Sequence, residues 1–154
     1  MPAADLADSI CYLDTTIFVY LFDTVDQQKY RKARSLVDYY LTSGKGRISV
    51  QVLTEWRNVM VKKYSAIVDA SFRQHFITAM KAWNPISVTV EMVVGADKLT
   101  ERYNLSPYDS LHIQAALDAG CSYFLSEDMQ NGLVIDNRLT ILDPFLLKDL
   151  PSSA

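Results

Sequence analysis

The fold is set by the stretch Ser9-Ile10-Cys11-Tyr12-Leu13-Asp14, a short apolar run that ends at an acidic residue. Such a run is typical of a strand that is buried on both faces. A short helix is predicted over residues 15–22, with Asp14 or Thr15 at its N-cap. In an open α/β sheet, ligands bind where the carboxyl ends of the strands meet. We therefore expect Asp14 to lie at a functional edge of a sheet.

Strands and helices alternate along the rest of the chain. The clearest helix start has Ser106 at the cap, Pro107 at the first helical position and Asp109 three residues after the cap, and Gly120 closes that helix. The alternation predicts an α/β domain with a mostly parallel, buried central sheet. Helices are expected at 26–41, 49–64, 66–83, 90–103 and 106–118, and further strands at 47–49, 86–89, 121–125 and 139–142.

Length and composition exclude several classes of protein. The chain has 154 residues, of which 49% are apolar and 21% are charged, as expected for one globular domain and not for a disordered chain. It contains no run of about 20 apolar residues that would span a membrane, and its start does not resemble a signal peptide. We expect a domain over residues 9–148, a flexible N-terminus over 1–8 and a flexible tail over 149–154.

The two cysteines, Cys11 and Cys121, both lie in apolar runs. They are interpreted as buried thiols in a reducing cytoplasm, because a structural zinc site needs about four nitrogen or sulfur ligands. The chain has only two histidines, which also argues against zinc.

Basic residues are concentrated in one part of the chain. The net charge is −3, yet residues 29–63 contain nine basic and two acidic residues. This asymmetry is typical of a protein with a polyanionic partner, although charged helix faces are commonly just solvated.

Four acidic residues lie where burial is expected: Asp14, Glu55, Asp109 and Asp128. Three have ordinary explanations, namely helix capping for Asp14 and Asp109 and a turn for Asp128. Glu55 has none, since it lies mid-helix on an apolar face. Buried carboxylates that lack basic partners repel each other and are costly to ionise. A hard cation, Mg²⁺ or Mn²⁺, resolves this conflict and activates water for hydrolysis.

These acidic segments resemble the motifs of the PIN-domain family, and in particular of VapC-type toxin ribonucleases. The resemblance covers roughly residues 10–143. It departs from the family where Thr16 replaces the frequent Asn or Ser, where Ser110 replaces Ala, and where Glu127 adds an acid. The matching segments are Leu13-Asp14-Thr15-Thr16, residues 49–59 around Glu55, residues 108–116 around Asp109, and residues 125–130 around Asp128.

The resemblance implies a three-layer α/β/α domain and a metal-dependent endoribonuclease in the cytoplasm. It implies that Asp14, Glu55 and Asp109 bind one Mg²⁺ or Mn²⁺ and that Asp128 completes the site. Relatives commonly cleave transfer RNA, form homodimers and are neutralised by a small antitoxin. The supporting residues are expected to be Thr16, Ser126 and Glu127, and the candidates for RNA binding are Arg31, Lys32, Arg34, Arg57, Lys62 and Lys63.

Alternatives remain open at this point. A phosphatase with an aspartate nucleophile normally needs a second acid two residues later, where this chain has Thr16. A receiver-like signalling domain would place its mid-chain acid on a strand, whereas Glu55 is predicted on a helix. A PIN-like scaffold that binds RNA or protein without cleavage is the third alternative. His112 is interpreted as a packed helix residue with a local hydrogen bond. Apolar surface on the helices over 30–40 and 56–64 is expected to favour a dimer.

Overall fold

The structure, a computed structural model, describes residues 3–152 as a sheet covered by helices. None of the helices in this range is long and apolar enough to cross a membrane. The helices are α1 (Ala3–Asp8), α2 (Thr15–Val19), α3 (Gln27–Ser43), α4 (Val50–Lys63), α5 (Ala70–Ala79), α6 (Val90–Tyr103) and α7 (Pro107–Asp118). The strands are β1 (Cys11–Leu13), β2 (Gly46–Arg47), β3 (Tyr123–Leu125), β4 (Val134–Ile135) and β5 (Leu139–Leu142), and 3₁₀ turns occur at Tyr20–Phe22, Met80–Trp83 and Pro144–Leu146.

The sheet has the strand order β2-β1-β3-β5-β4, and every neighbouring pair is parallel except β4 with β5. Helices lie on both faces, so the predicted three-layer α/β/α fold with a mostly parallel sheet is confirmed. Leu13 pairs with Leu125 at the carboxyl end of the two central strands. The residues that follow these strands, Asp14 and Ser126, are therefore brought together at one sheet edge.

Aromatic side chains fill much of the core. Tyr12 stacks on Phe124 with ring centroids 5.0 Å apart, and Trp56 stacks on Phe76 at 4.2 Å. Tyr40 and Trp56 are completely or almost completely buried. Two of the aromatic residues on the helices that were expected to offer a dimer surface are thus core residues, because folding removes their large apolar area from water.

Helices with strong end signals have the predicted bounds, whereas weakly marked elements differ. The Thr89 side chain caps α6, which has the predicted bounds of 90–103. The Ser106 side chain caps α7, which lies within the predicted 106–118. The helix predicted over 66–83 begins later, because the Asp69 carboxylate caps it by accepting from the Phe72 amide at 2.8 Å. The predicted strand over 86–89 is wrong, since only a single bridge joins Ile86 to Ser49.

Both chain ends hold more structure than the sequence predicted. Residues 3–8 form α1, in which Leu6 is fully buried. The backbone carbonyl of Leu6 accepts a hydrogen bond from the Tyr40 hydroxyl at 2.7 Å. At the other end, Pro151 is buried and its carbonyl accepts from Ser35 Oγ at 3.1 Å. Residues 1–2 and 153–154 lie outside the described residues.

Both cysteines are free and buried. Burial raises the pKa of each thiol to about 12, so both stay protonated at neutral pH. Because the thiolate is the reactive form, these thiols are inert in the folded chain.

Candidate active site

Asp14 lies at the carboxyl end of β1 and is 6% exposed. Its Oδ1 accepts from the Thr15 amide at 2.7 Å, which caps α2, and its Oδ2 accepts from Ser126 Oγ at 2.8 Å. Both carboxylate oxygens are thus oriented by neighbours at the sheet edge. Burial raises the pKa of Asp14 by more than its hydrogen bonds and the charge of His112 lower it.

Glu55 projects from the middle of α4 toward the same edge. Its carboxylate accepts from Gln51 Nε2 at 2.9 Å and from Thr15 Oγ1 at 3.2 Å, so α2 and α4 both hold it. Both of its oxygens also lie 2.9 Å from His112 Nε2. A glutamate on an apolar helix face therefore has polar partners from three helices.

His112 is the centre of this arrangement and is 2% exposed. Its Nε2 faces Glu55 and lies 3.8 Å from Asp14 Oδ1, while its Nδ1 lies 2.7 Å from the Tyr12 hydroxyl. That hydroxyl is in turn 2.7 Å from Ser49 Oγ. The Tyr12 hydroxyl can pair with Nδ1 in both protonation states of the ring. It donates to Nδ1 when that nitrogen carries no proton and accepts from it when it does.

The interpretation of His112 as a packed residue is confirmed, but the expected local hydrogen bond is wrong. Its partners lie 57 and 100 positions away in the sequence, on α4 and β1. The signal that was available is its spacing: His112 lies on the buried face of α7, one turn after Asp109. Spacing places the two residues on one face but does not reveal what lies opposite.

The charges in this cluster shift one another's pKa. Burial by itself lowers the pKa of His112, but the hydrogen bond to Glu55 and the charges of Asp14, Glu55 and Asp109 outweigh it, so the pKa is raised. Burial by itself raises the pKa of Glu55, but the hydrogen bond and charge of His112 outweigh it, so the pKa is lowered. An imidazolium–carboxylate pair is favoured over a neutral pair.

Asp109 and Asp128 form the outer part of the site and line one cleft. Asp109 lies in the first turn of α7, where its backbone amide donates to the Ser106 cap at 3.1 Å. The Asp128 amide donates to Ser126 Oγ at 3.1 Å, so the same serine orients Asp14 and the turn that carries Asp128. Partial burial, followed by the negative charges of its acidic neighbours, raises the pKa of Asp128.

Glu127, in contrast, is held by other partners. Its carboxylate forms an ion pair with Lys29 Nζ at 2.8 Å and accepts from the Tyr20 hydroxyl. Lys29 also lies over the rings of Tyr20 and Phe145. This cluster ties the turn after β3 to α3. The prediction that Glu127 supports the metal site stays untested, but its charge is already compensated.

Neutralising Asp128 is expected to raise the melting temperature in EDTA. The Asp128 carboxylate is exposed and has no hydrogen-bond partner within residues 3–152. The negative charges of Asp14 and Asp109, in contrast, lie close enough to raise its pKa. Asp128→Asn removes that repulsion, and calorimetry in EDTA measures the shift. Asp97→Asn, at an exposed position in the middle of α6, is the matched control. A clear drop for Asp128→Asn would mean that the carboxylate has a stabilising partner.

The six candidates for RNA binding are not equivalent. Lys32 Nζ donates to the carbonyls of Phe145 and Leu147 at 2.9 Å each, so it holds the C-terminal segment. Arg34 bonds the Tyr30 hydroxyl at 3.2 Å. Lys63 follows Glu55 by two helical turns on α4 and lines a groove with Thr16. The exposed candidates without a hydrogen bond or ion pair in the described range are Arg31, Arg57, Lys62 and Lys63.

The donor set fits a hard divalent cation by its chemistry. The carboxylates supply oxygen, the ligand that Mg²⁺ and Mn²⁺ prefer. Gln51 Oε1, one turn before Glu55, is buried without a hydrogen-bond partner, as is Thr16 Oγ1, two residues after Asp14. A hydrated cation supplies the water donors that such acceptors lack. Within residues 3–152, however, no three His, Cys, Asp or Glu side chains are already arranged around one ion position.

The family model of the PIN domain matches residues 11–130. The chain belongs to the PIN domain family. The match contains Asp14, Glu55, Asp109 and Asp128, so all four acidic residues lie within the PIN domain. No curated protein matches the chain significantly in sequence.

Two solved structures share the PIN fold of this chain. One is a toxin–antitoxin complex from Klebsiella pneumoniae, with a TM-score of 0.61, 18% identity, and coverage of 87% of this chain and 97% of that chain. The other is VapBC2 from Rickettsia felis bound to a DNA fragment from their promoter, with a TM-score of 0.58, 17% identity, and coverage of 86% and 98%. At these identities the likeness shows a common fold.

Proposed function

We propose that this PIN-domain protein is a metal-dependent endoribonuclease of the VapC type. One observation carries the proposal: Asp14 and Glu55 lie against the buried His112 at the carboxyl edge of the sheet, and Asp109 and Asp128 line one cleft close enough for their charges to act on this cluster. Protonated His112 compensates part of this negative charge, and a bound cation would neutralise more of it. PIN-family membership and the fold shared with toxin–antitoxin structures support the same reading.

The carboxylates Asp14, Glu55 and Asp109 would hold Mg²⁺ or Mn²⁺, and Asp128 would complete the site. Bound there, the cation would supply Lewis-acid activation of water and neutralise charge at the scissile phosphate. Ser126 and the Thr15 amide keep both oxygens of Asp14 oriented. The exposed position of Asp128 leaves it accessible to solvent and to a strand of RNA.

Phosphate contacts are assigned to the basic residues that the fold leaves unpaired. Lys62 and Lys63 end α4, the helix that carries Glu55, so they lead away from the site along one element. Arg31 and Arg57 are further exposed candidates. Such contacts position a nucleic acid without reading its sequence, and they make binding weaken steeply with added salt.

The role of toxin in a toxin–antitoxin pair is part of this proposal. One structural neighbour is a toxin–antitoxin complex and the other is VapBC2, which supports a small antitoxin as partner. A short open reading frame next to the gene, whose product co-purifies with this chain, would be the expected partner. A homodimer and a cytoplasmic location are proposed with it, and light scattering of the purified chain measures the oligomeric state.

Cleavage of a mixed RNA pool in Mg²⁺ or Mn²⁺ tests the proposal. Asp14→Asn and Asp109→Asn are each expected to slow cleavage at least roughly a hundredfold, because each removes a negative metal ligand. Asp118→Asn makes the same chemical change at the other end of α7 and should cleave like the wild type. Equal cleavage by all variants would place the activity elsewhere, and intact wild-type protein that never cleaves would favour a PIN-like scaffold.

A further inference from the structure

A cleft of about 310 Å³ opens beside Asp109 and Asp128. It lies between the end of α6 and the turn after β3, so it adjoins the outer part of the candidate active site. Its size is at the lower end of clefts that hold small molecules. A group bound there would lie next to the bond that the proposed nuclease cuts.

Two carboxamides line this cleft and are free to bind. Asn104 ends α6 in a left-handed conformation with φ of 56°, and Gln130 lies in the turn after β3. Both are exposed, and neither side chain forms a hydrogen bond within residues 3–152. A carboxamide offers donors and an acceptor on one planar group. The edge of a nucleobase presents the complementary pattern, which Asn and Gln side chains read.

The remaining lining sets what class of group fits. Leu105, Met129 and Leu133 are partly buried apolar residues that supply a surface for the face of a ring. The charged lining residues in the described range are two carboxylates, Asp109 and Asp128. A phosphate would meet like charges here, whereas a neutral base would not.

We propose that this cleft holds the unpaired nucleobase that flanks the scissile phosphodiester, with Asn104 and Gln130 reading its edge. The inference rests on the proposed function, because the cleft has this meaning only beside a site that cuts RNA. It makes the chain a base-selective ribonuclease at one position next to the cut.

Binding of nucleosides tests the cleft without any cleavage. Adenosine, cytidine, guanosine and uridine are titrated in EDTA against the full-length chain labelled with ¹⁵N. At least one nucleoside is expected to shift the side-chain amide signals of Asn104 and Gln130 but not that of exposed Gln74 on α5. Inorganic phosphate should shift neither cleft amide. Absence of any shift with all four nucleosides, or equal shifts with phosphate, overturns the inference.

Mapping of cleavage sites in a randomised RNA tests the reading of the base. The wild type is expected to favour one base at a position flanking the cut by about tenfold, and Asn104→Ala with Gln130→Ala should abolish that ratio. Gln74→Ala, a carboxamide removed from the surface of α5, should keep it. An unchanged ratio in the double variant overturns the inference while leaving the nuclease intact. Nucleoside binding without cleavage by the wild type would overturn the proposed function and this assignment with it.

Discussion

Replacing His112 with alanine is expected to lower the free energy of unfolding in EDTA by about 3 kcal/mol. The ring is buried, and its loss leaves the carboxylates of Asp14 and Glu55 without the imidazolium that lies beside both of them. It also removes one of the two partners of the buried Tyr12 hydroxyl. For a chain of this size the melting temperature should fall by roughly 10 °C.

The pH dependence separates the charge of His112 from its packing. Because the pKa of His112 is raised in the folded state, the free energy that its charge adds to stability is fully present below the unfolded pKa of about 6.5. That contribution is lost as the pH rises through the folded-state pKa. Wild-type stability in EDTA should therefore decline above about pH 6.5, whereas His112→Gln should show no such decline there. Urea unfolding at several pH values measures both.

His75→Ala is the matched control for these variants, since His75 is exposed on α5 and bonds only to a carbonyl of its own helix. It should keep the wild-type stability and the wild-type pH profile. If His112→Gln retains the decline above pH 6.5, the titrating group is another residue and the imidazolium–carboxylate pair is not what stabilises the site.

Saturation with Mn²⁺ is expected to stabilise the wild type by about 2.7 kcal/mol at a hundred times the dissociation constant. The gain would follow from mass action, because the proposed ligands lie on distant segments that only folding brings to one edge of the sheet. Glu55→Gln and Asp109→Asn each remove a negative charge from a proposed ligand, so most of the gain should disappear. Differential scanning calorimetry with and without Mn²⁺ measures the shift in melting temperature.

Two controls make this experiment specific. Asp118→Asn should respond to Mn²⁺ like the wild type, since Asp118 lies at the far end of α7. Isothermal titration gives the affinity independently of stability. An equal gain in the wild type, Glu55→Gln and Asp109→Asn would show that Mn²⁺ acts elsewhere on the surface, and the metal assignment would then fail.

Local signals in the sequence were sufficient for much of the fold. The start of α7 was predicted because Ser106 and Pro107 fix a helix start by short-range hydrogen bonding and ring geometry. The two-residue strand β4 was not predicted, since its pairing with β5 is set by a hairpin in which Asp136 and Asn137 have positive φ. Strands this short have no periodicity to read.

The residues of the candidate site were likewise predictable only in part. Glu55 was singled out because a mid-helix glutamate on an apolar face has no local explanation. The distant partners of His112 are not predictable from its helix, and Lys32, a predicted RNA contact, holds the carbonyls of Phe145 and Leu147. In both cases the partner lies far away in the sequence, and a side chain's type does not state what it meets.

The sequence by itself determined the α/β class, the PIN family resemblance and the four acidic positions, because patterning, capping and motif spacing are local properties. Only the tertiary structure decided which charges are compensated: His112 stands between Asp14 and Glu55, and Lys29 is paired with Glu127. The physical reason is that electrostatic energy depends on distance and burial in space, and both are fixed only when the strands and helices pack together.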